Sequence, residues 1–443
     1  MRIVFGAALA ALVLCAPAHA QTTAEQQRED IEFLRTEYLP RERAFTPETR
    51  AAAERILDGL AAQAGTLSQA QLYLGFLRVN AAADNAHSLA SFGAPEAIPP
   101  GRLPLVTAWF EDAGLVVLRA LPPHQDLAGA TVLAIEGRPA EEAMAVLRTY
   151  FGGAPARRNI MAPGLIGIGG VMQAAGLADT PDALTLRLRL RDGAEIEREI
   201  AYIPADPNRA APWWPMRWWS PEPINGDATP WATAIPAEGL PLYLRDGDSF
   251  NRAIALPELN AVYLELKTNE PFREAREFPA RAEAVLRQAH AANIIVDLRF
   301  SKGGDMRTTA AFFERLPSRL PPGGRIFVIV GRYTFSAGMA SAAILLNAAG
   351  DRATLVGEDV GDRPRFWSEG ESVCAPHSRL CVRYTTGLFD LSQPCTERSC
   401  HGDNRRFALV APLAPTQRTP MTWADYLARR DPAMEAITAQ LRQ

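Results

Sequence analysis

Ser336 stands where an apolar run, IFVIV at 326–330, gives way to the small-residue stretch AGMASAAILL at 337–346. The run has the composition of a fully buried strand and the stretch that of a helix, so this serine opens a helix. The first backbone N–H groups of a helix lack an intrahelical partner and carry the positive end of its dipole. Negative charge developing on a reacting oxygen is stabilised at such a place. The competing reading is that Ser336 only caps the helix, its hydroxyl satisfying one of those N–H groups.

A second strand-to-turn unit lies upstream, where NIIVD at 293–297 leads into Gly303-Gly304. The residues between the two units, TTAAFFERL at 308–316, have a helical pattern, so the whole reads as strand, helix, strand. A right-handed crossover makes such strands parallel and brings the glycine pair and Ser336 to their carboxyl ends, where open α/β sheets place their sites. Glycine there lets backbone N–H groups come close to a reacting oxygen.

DLRFSKGG at 297–304, followed downstream by a strand and Thr334-Phe335-Ser336-Ala337, resembles a serine peptidase family. That family comprises the C-terminal-processing proteases, the tricorn protease core and the interphotoreceptor retinoid-binding proteins. GDRATLVGED at 350–359 and TWADYLARRDPAMEAI at 422–437 extend the resemblance, which covers 246–443 well and the earlier half loosely. It implies an α/β, Clp/crotonase-like catalytic domain, with an N-terminal helical region and an inserted β-rich PDZ-like domain. It also implies an acyl-enzyme on Ser336, an oxyanion hole from backbone N–H groups of Gly303, Gly304 and Ala337, and no metal or organic cofactor.

The resemblance also ranks the bases. In the tricorn-like branch a histidine-bearing segment ahead of the inserted domain supplies the general base, and Asp84-Asn85-Ala86-His87-Ser88 occupies that place, implying His87. The other branch uses a lysine in a turn past the serine, where this chain has Gly361. The chain's two lysines are Lys267 and Lys302, and only Lys302, beside the glycine pair, could be recruited. Arg363 and Arg365 stay protonated and cannot accept a proton. Two carboxylates compete to orient His87: Glu358, at the end of the strand ATLVG, and Glu397, nearer the interval of the tricorn-like pattern.

These groups need elements to carry them. Residues 1–20 read as a cleaved signal peptide: Arg2, an apolar stretch, then Ala18-His19-Ala20. Residues 21–100 form an expected helical region carrying His87, with Thr46-Pro47-Glu48 as a helix start. Residues 101–210 form an expected β-rich PDZ-like domain. There DLAGATVLAIEGRP at 126–139 resembles the PDZ-like element of these proteases, and LTLRLRLRDGAEIEREIAYI at 184–203 reads as a hairpin turning at Asp192-Gly193. Residues 211–245 are a Trp/Pro-rich connecting segment, either an aromatic lid or a hydrophobic plug, and 246–443 the peptidase core.

The formal net charge of −4 gives no basic face for nucleic acid. Apart from Cys15 in the signal, the cysteines are Cys374, Cys381, Cys395 and Cys400. An exported chain favours two local disulfides, Cys374–Cys381 and Cys395–Cys400, over a zinc site using His377 and His401. The sequence thus reads as a periplasmic or secreted serine-type peptidase acting on peptide or protein, with no stable membrane insertion after signal cleavage. A catalytically inactive relative binding an apolar ligand or peptide on the same scaffold is the alternative.

Overall fold

In the computed structural model, which describes residues 22–99, 101–204, 215–224 and 229–442, the run Ile326–Val330 lies inside a six-stranded sheet. Its order is Gln417–Arg418, Ala353–Gly357, Ile326–Val330, Asn293–Asp297, Ala261–Leu266 and Asn251–Leu256. Only the last strand runs antiparallel to its neighbour. Helix Arg273–Ala289 connects the fifth strand in that order to the fourth, Ala310–Arg315 the fourth to the third, and Ala337–Ala349 the third to the second. The central parallel strands are largely apolar, as expected for strands covered on both faces. Ile326, Phe327, Val328, Ile329 and Val330 are all buried.

The earlier half builds a second layer. Helix Pro47–Ala62 starts as the sequence predicts, with the Thr46 hydroxyl accepting from the Thr49 N–H and Pro47 in the first turn. Its neighbour Gln69–Ala82 is buried along most of its length. Both pack in one apolar cluster with a seven-stranded antiparallel sheet that contains the predicted hairpin, Ala183–Arg189 with Glu195–Ala201. Helices also occur within 101–210, among them Ala140–Arg148, Pro155–Met161 and Gly169–Ala174. Residues 151–176 carry small residues, glycines and prolines without a two-residue alternation, which is why they leave the sheet.

Of the Trp-rich connector, Trp219 is buried against Phe110, Phe300, Tyr333 and Tyr426, and its indole N–H donates to the Tyr333 hydroxyl at 3.0 Å. It fills the space between the two sheets. Trp213 and Trp214, like the expected signal peptide, lie outside the described residues.

The chain then returns from the six-stranded sheet to the second layer. Ala90–Phe92 pairs antiparallel with Leu380–Arg383, which pairs with Ser372–Cys374. Disulfide Cys374–Cys381 ties the last two strands, and Cys395–Cys400 closes a loop further on. Beneath this small sheet the buried carboxylate of Glu42 accepts from the Ser88 hydroxyl, the Thr385 N–H and hydroxyl, and the Ala44 N–H. Burial pushes the Glu42 carboxyl up from its ordinary range, and those donors pull it partly back. Ser88 and Thr385 sit on the two segments that meet here, so Glu42 pins one to the other. Glu42→Ala strands these donors, each unmet bond costing about 1–3 kcal/mol. The expected outcome is a fall of several degrees in Tm by circular dichroism, with a smaller fall for Glu42→Gln.

Candidate active site

The turn from the strand Ile326–Val330 to the helix Ala337–Ala349 is held by its own polar groups. The Thr334 hydroxyl donates to Leu298 O and accepts from the Gly331 N–H, and the Phe335 N–H donates to Ser301 O at 2.8 Å. Gly338 lies so close to Ser301 that a Cβ there would sit 2.4 Å from Ser301 O. Locked in this way, Ser336 takes φ 54° and ψ −125°, a region that costs a non-glycine residue on the order of 1–3 kcal/mol.

Ser336 occupies the N-cap position, yet its side chain makes no capping hydrogen bond. It is half-buried among buried neighbours. The cap reading therefore fails on geometry: the backbone is strained and the hydroxyl makes no hydrogen bond among the described residues.

Gly303 and Gly304 have φ of +96° and +128°. A Cβ on Gly303 would fall 2.8 Å from both Ala337 N and Ser336 Cβ, so this glycine lets its strand end press against the serine turn. Gly304 presses instead on the backbone of Asn269 and Glu270. The N–H groups of Gly303 and Ala337 make no hydrogen bond among the described residues. They are free to receive an oxyanion.

The His87 ring lies between two phenylalanines. It stacks on Phe335, the residue before Ser336, at 4.3 Å between centroids and on Phe366 at 5.1 Å. Phe366 in turn stacks on Phe389, and Phe389 on His401. This column fixes the plane of the imidazole and leaves its two nitrogens at the ring edge. Neither nitrogen has a hydrogen-bond partner among the described residues, so the imidazole packs on the residue before Ser336 without a hydrogen bond to its hydroxyl. Such contacts are commonly loose before substrate arrives.

The acid facing His87 is one that sequence reasoning missed. Asp362 Oδ2 lies 3.7 Å from His87 Nδ1 and has no hydrogen bond of its own, while Oδ1 accepts from the Arg363 N–H. The Gly361 N–H donates to Thr334 O at 2.8 Å, and a Cβ on Gly361 would meet Arg332 O at 2.3 Å. Gly361-Asp362 is thus docked directly on the serine turn. Glu358 is placed elsewhere, pairing with Arg332 and accepting from the Met421 N–H. Glu397 is exposed and pairs with Arg365. Lys302 lies 3.6 Å from Glu270, its amine lowered to about 8 by burial, and Lys267 is buried against Glu265. The only sequence signal for Asp362 was a carboxylate in a short glycine turn just past a strand end.

Burial sets the protonation state of both groups. Burial, reinforced by Arg157 and Arg383, holds the His87 imidazole well below its ordinary 6.5, so the ring is neutral and able to accept a proton. Burial pushes the Asp362 carboxyl up to about 6 against the pull of the Arg363 N–H and nearby guanidinium groups. No group of three or more histidine, cysteine or acidic side chains able to hold a metal occurs among the described residues.

No protein-family model and no curated protein sequence matches the chain. Its fold does match solved structures. Mature CPAF complexed with lactacystin is similar over 95% of this chain and 98% of its own, at 14% identity and a TM-score of 0.57. A CPAF variant with one serine replaced by alanine is similar over 95% and 97%, at 13% identity and the same TM-score of 0.57. Mature CPAF alone gives 0.54 at 13% identity. The fold of this chain is therefore that of CPAF, across nearly the full length of both.

The depressed His87 value has a measurable sign. With the folded value below the unfolded one, stability is complete above pH 6.5 and is lost as pH falls below it, by at most about 1.4 kcal/mol per pH unit. Asp362, raised in the fold, contributes in the opposite sense between about 6 and 3.8. Tm measured from pH 7 to 5 should therefore fall less steeply in His87→Phe than in the parent, since only the imidazole's contribution is removed.

Proposed function

We propose that this protein is a serine-type peptidase that acts through an acyl-enzyme on Ser336, with His87 as general base and Asp362, rather than Glu358 or Glu397, orienting the imidazole. The observation that carries this reading is the convergence on one turn of a strained, uncapped serine, free backbone N–H groups, and a neutral imidazole with a carboxylate behind it. In the reaction Ser336 Oγ attacks a peptide carbonyl while His87 takes its proton. The oxyanion forms at the N–H groups of Ala337 and Gly303, each worth roughly 3–4 kcal/mol. His87 then protonates the leaving amine, and water repeats the sequence on the ester.

The resemblance of DLRFSKGG and TFSA to the serine peptidase family supports peptide bonds as the substrate class, and the CPAF fold supports the same scaffold for the whole chain. On this reading residues 246–443 form a Clp/crotonase-like core and 101–210 a PDZ-like module inserted between His87 and Ser336. The amino-terminal segment 1–20 and the two disulfides support export to the periplasm or beyond. Among the described residues no helix is long and apolar enough to cross a membrane. The non-catalytic alternative is disfavoured by the strain at Ser336, which simple ligand carriage does not need.

Labelling by a fluorophosphonate probe tests the mechanism. Ser336→Ala should abolish it with the circular dichroism spectrum unchanged, and His87→Ala should slow it by about 10²–10⁴-fold. Asp362→Asn should slow it at least tenfold more than Glu358→Gln. Equal labelling of the parent and Ser336→Ala would end the proposal.

A further inference from the structure

Three arginines converge on the segment that carries His87, and two of them are neutralised there. Arg158 pairs with Asp84 at 2.6 Å and Arg363 pairs with the same carboxylate at 2.8 Å. The third, Arg157, sits on the same helix, Pro155–Met161, with its guanidinium carbon 4.0 Å from the ring centre of Phe335. Phe335 precedes Ser336 and stacks on His87. The Nε of Arg157 is buried without a partner, and the guanidinium makes no ion pair or hydrogen bond among the described residues.

Several more deeply buried arginines are held in ion pairs. Arg217 pairs with Asp248, Arg252 with Glu265, Arg299 with Asp297 and Asp431, and Arg332 with Glu358. The carboxylate nearest in influence to Arg157 is Asp362, but no ion pair links the two, and Asp362 Oδ2 faces His87 instead. The face of one phenylalanine attracts a cation only weakly and does not replace a carboxylate as counter-charge. Burial lowers the guanidinium to about 10, which still leaves it charged at neutral pH. The charge is therefore present, half-buried and without an ion pair among the described residues, against the residue that precedes Ser336.

We propose that Arg157 receives a carboxylate of the substrate close to the bond that Ser336 attacks, so that the protein selects acidic peptides. Placing the site beside the scissile bond rests on the acyl-transfer reading above. The planar fork of the guanidinium matches a carboxylate in two parallel hydrogen bonds. The carboxylate can belong to an Asp or Glu side chain or to a chain end, and both present the same geometry.

Binding without turnover tests this independently of acylation. Fluorescein-labelled tetrapeptide pools are titrated against Ser336→Ala by anisotropy. One pool carries Asp and Glu with an amidated end, one carries Asn and Gln with a free carboxyl end, and one carries Asn and Gln with an amidated end. At least one acidic pool should bind ten times or more tighter than the fully amidated pool, and which one does so identifies the source of the carboxylate. That advantage should vanish in Ser336→Ala/Arg157→Gln and persist in part in Ser336→Ala/Arg157→Lys. Equal binding of all pools, no binding of any, or an advantage that survives Arg157→Gln would overturn the proposal. Acid-selective binding in a protein that fluorophosphonate never labels would leave this site standing and remove the peptidase reading.

Discussion

The contact on which the site depends is the stacking of the His87 ring between Phe335 and Phe366. Three stretches distant in sequence meet in it: the segment after helix Gln69–Ala82, the serine turn, and the strand Arg365–Ser368. An imidazole offers little free energy of its own to bring such segments together. The aromatic faces supply it by burying apolar area, and they settle the ring plane as they do so. The cost is that the ring nitrogens are cut off from water, and the imidazole is kept neutral as a result. The same packing that builds the site thus sets its protonation state.

Around this joint the molecule is fastened from both sides. Glu42 gathers Ser88 and Thr385, Ala90–Phe92 pairs with Leu380–Arg383, and disulfide Cys374–Cys381 secures the partner strand. On the serine side Thr334, Ser301 and Gly361 hold the turn in a conformation that Ser336 would not adopt alone. Strain persists only where surrounding structure over-determines it, and here the turn is bonded to Leu298 O, Ser301 O and the Gly361 N–H. The serine side chain is thereby held out of the capping hydrogen bond usual at a helix start.

Much of this was legible in the residues. The buried run IFVIV, the small-residue helix and the glycine pair identified the serine turn because parallel strands and close backbone approaches leave compositional marks. The hairpin at Asp192-Gly193, the cap at Thr46 and the two disulfides were legible for the same reason, being local. Asp362 was not, because its role comes from a glycine turn docking on Arg332 and Thr334, a contact without periodicity. Glu358 looked better placed at its strand end, but Arg332 and the Met421 N–H claim it. Arg157 was invisible too, since an arginine in sequence does not announce whether a carboxylate will meet it.

A crystal structure of the protein phosphonylated at Ser336 would test the central claim most directly, since the phosphonyl oxygen stands in for the oxyanion. The account predicts that oxygen about 2.7–3.1 Å from Ala337 N, with a His87 ring nitrogen about 2.6–3.2 Å from Ser336 Oγ and Asp362 Oδ2 closed to the same range on His87 Nδ1. An imidazole still out of hydrogen-bond reach of the serine, or a phosphonyl oxygen turned toward solvent, would contradict it.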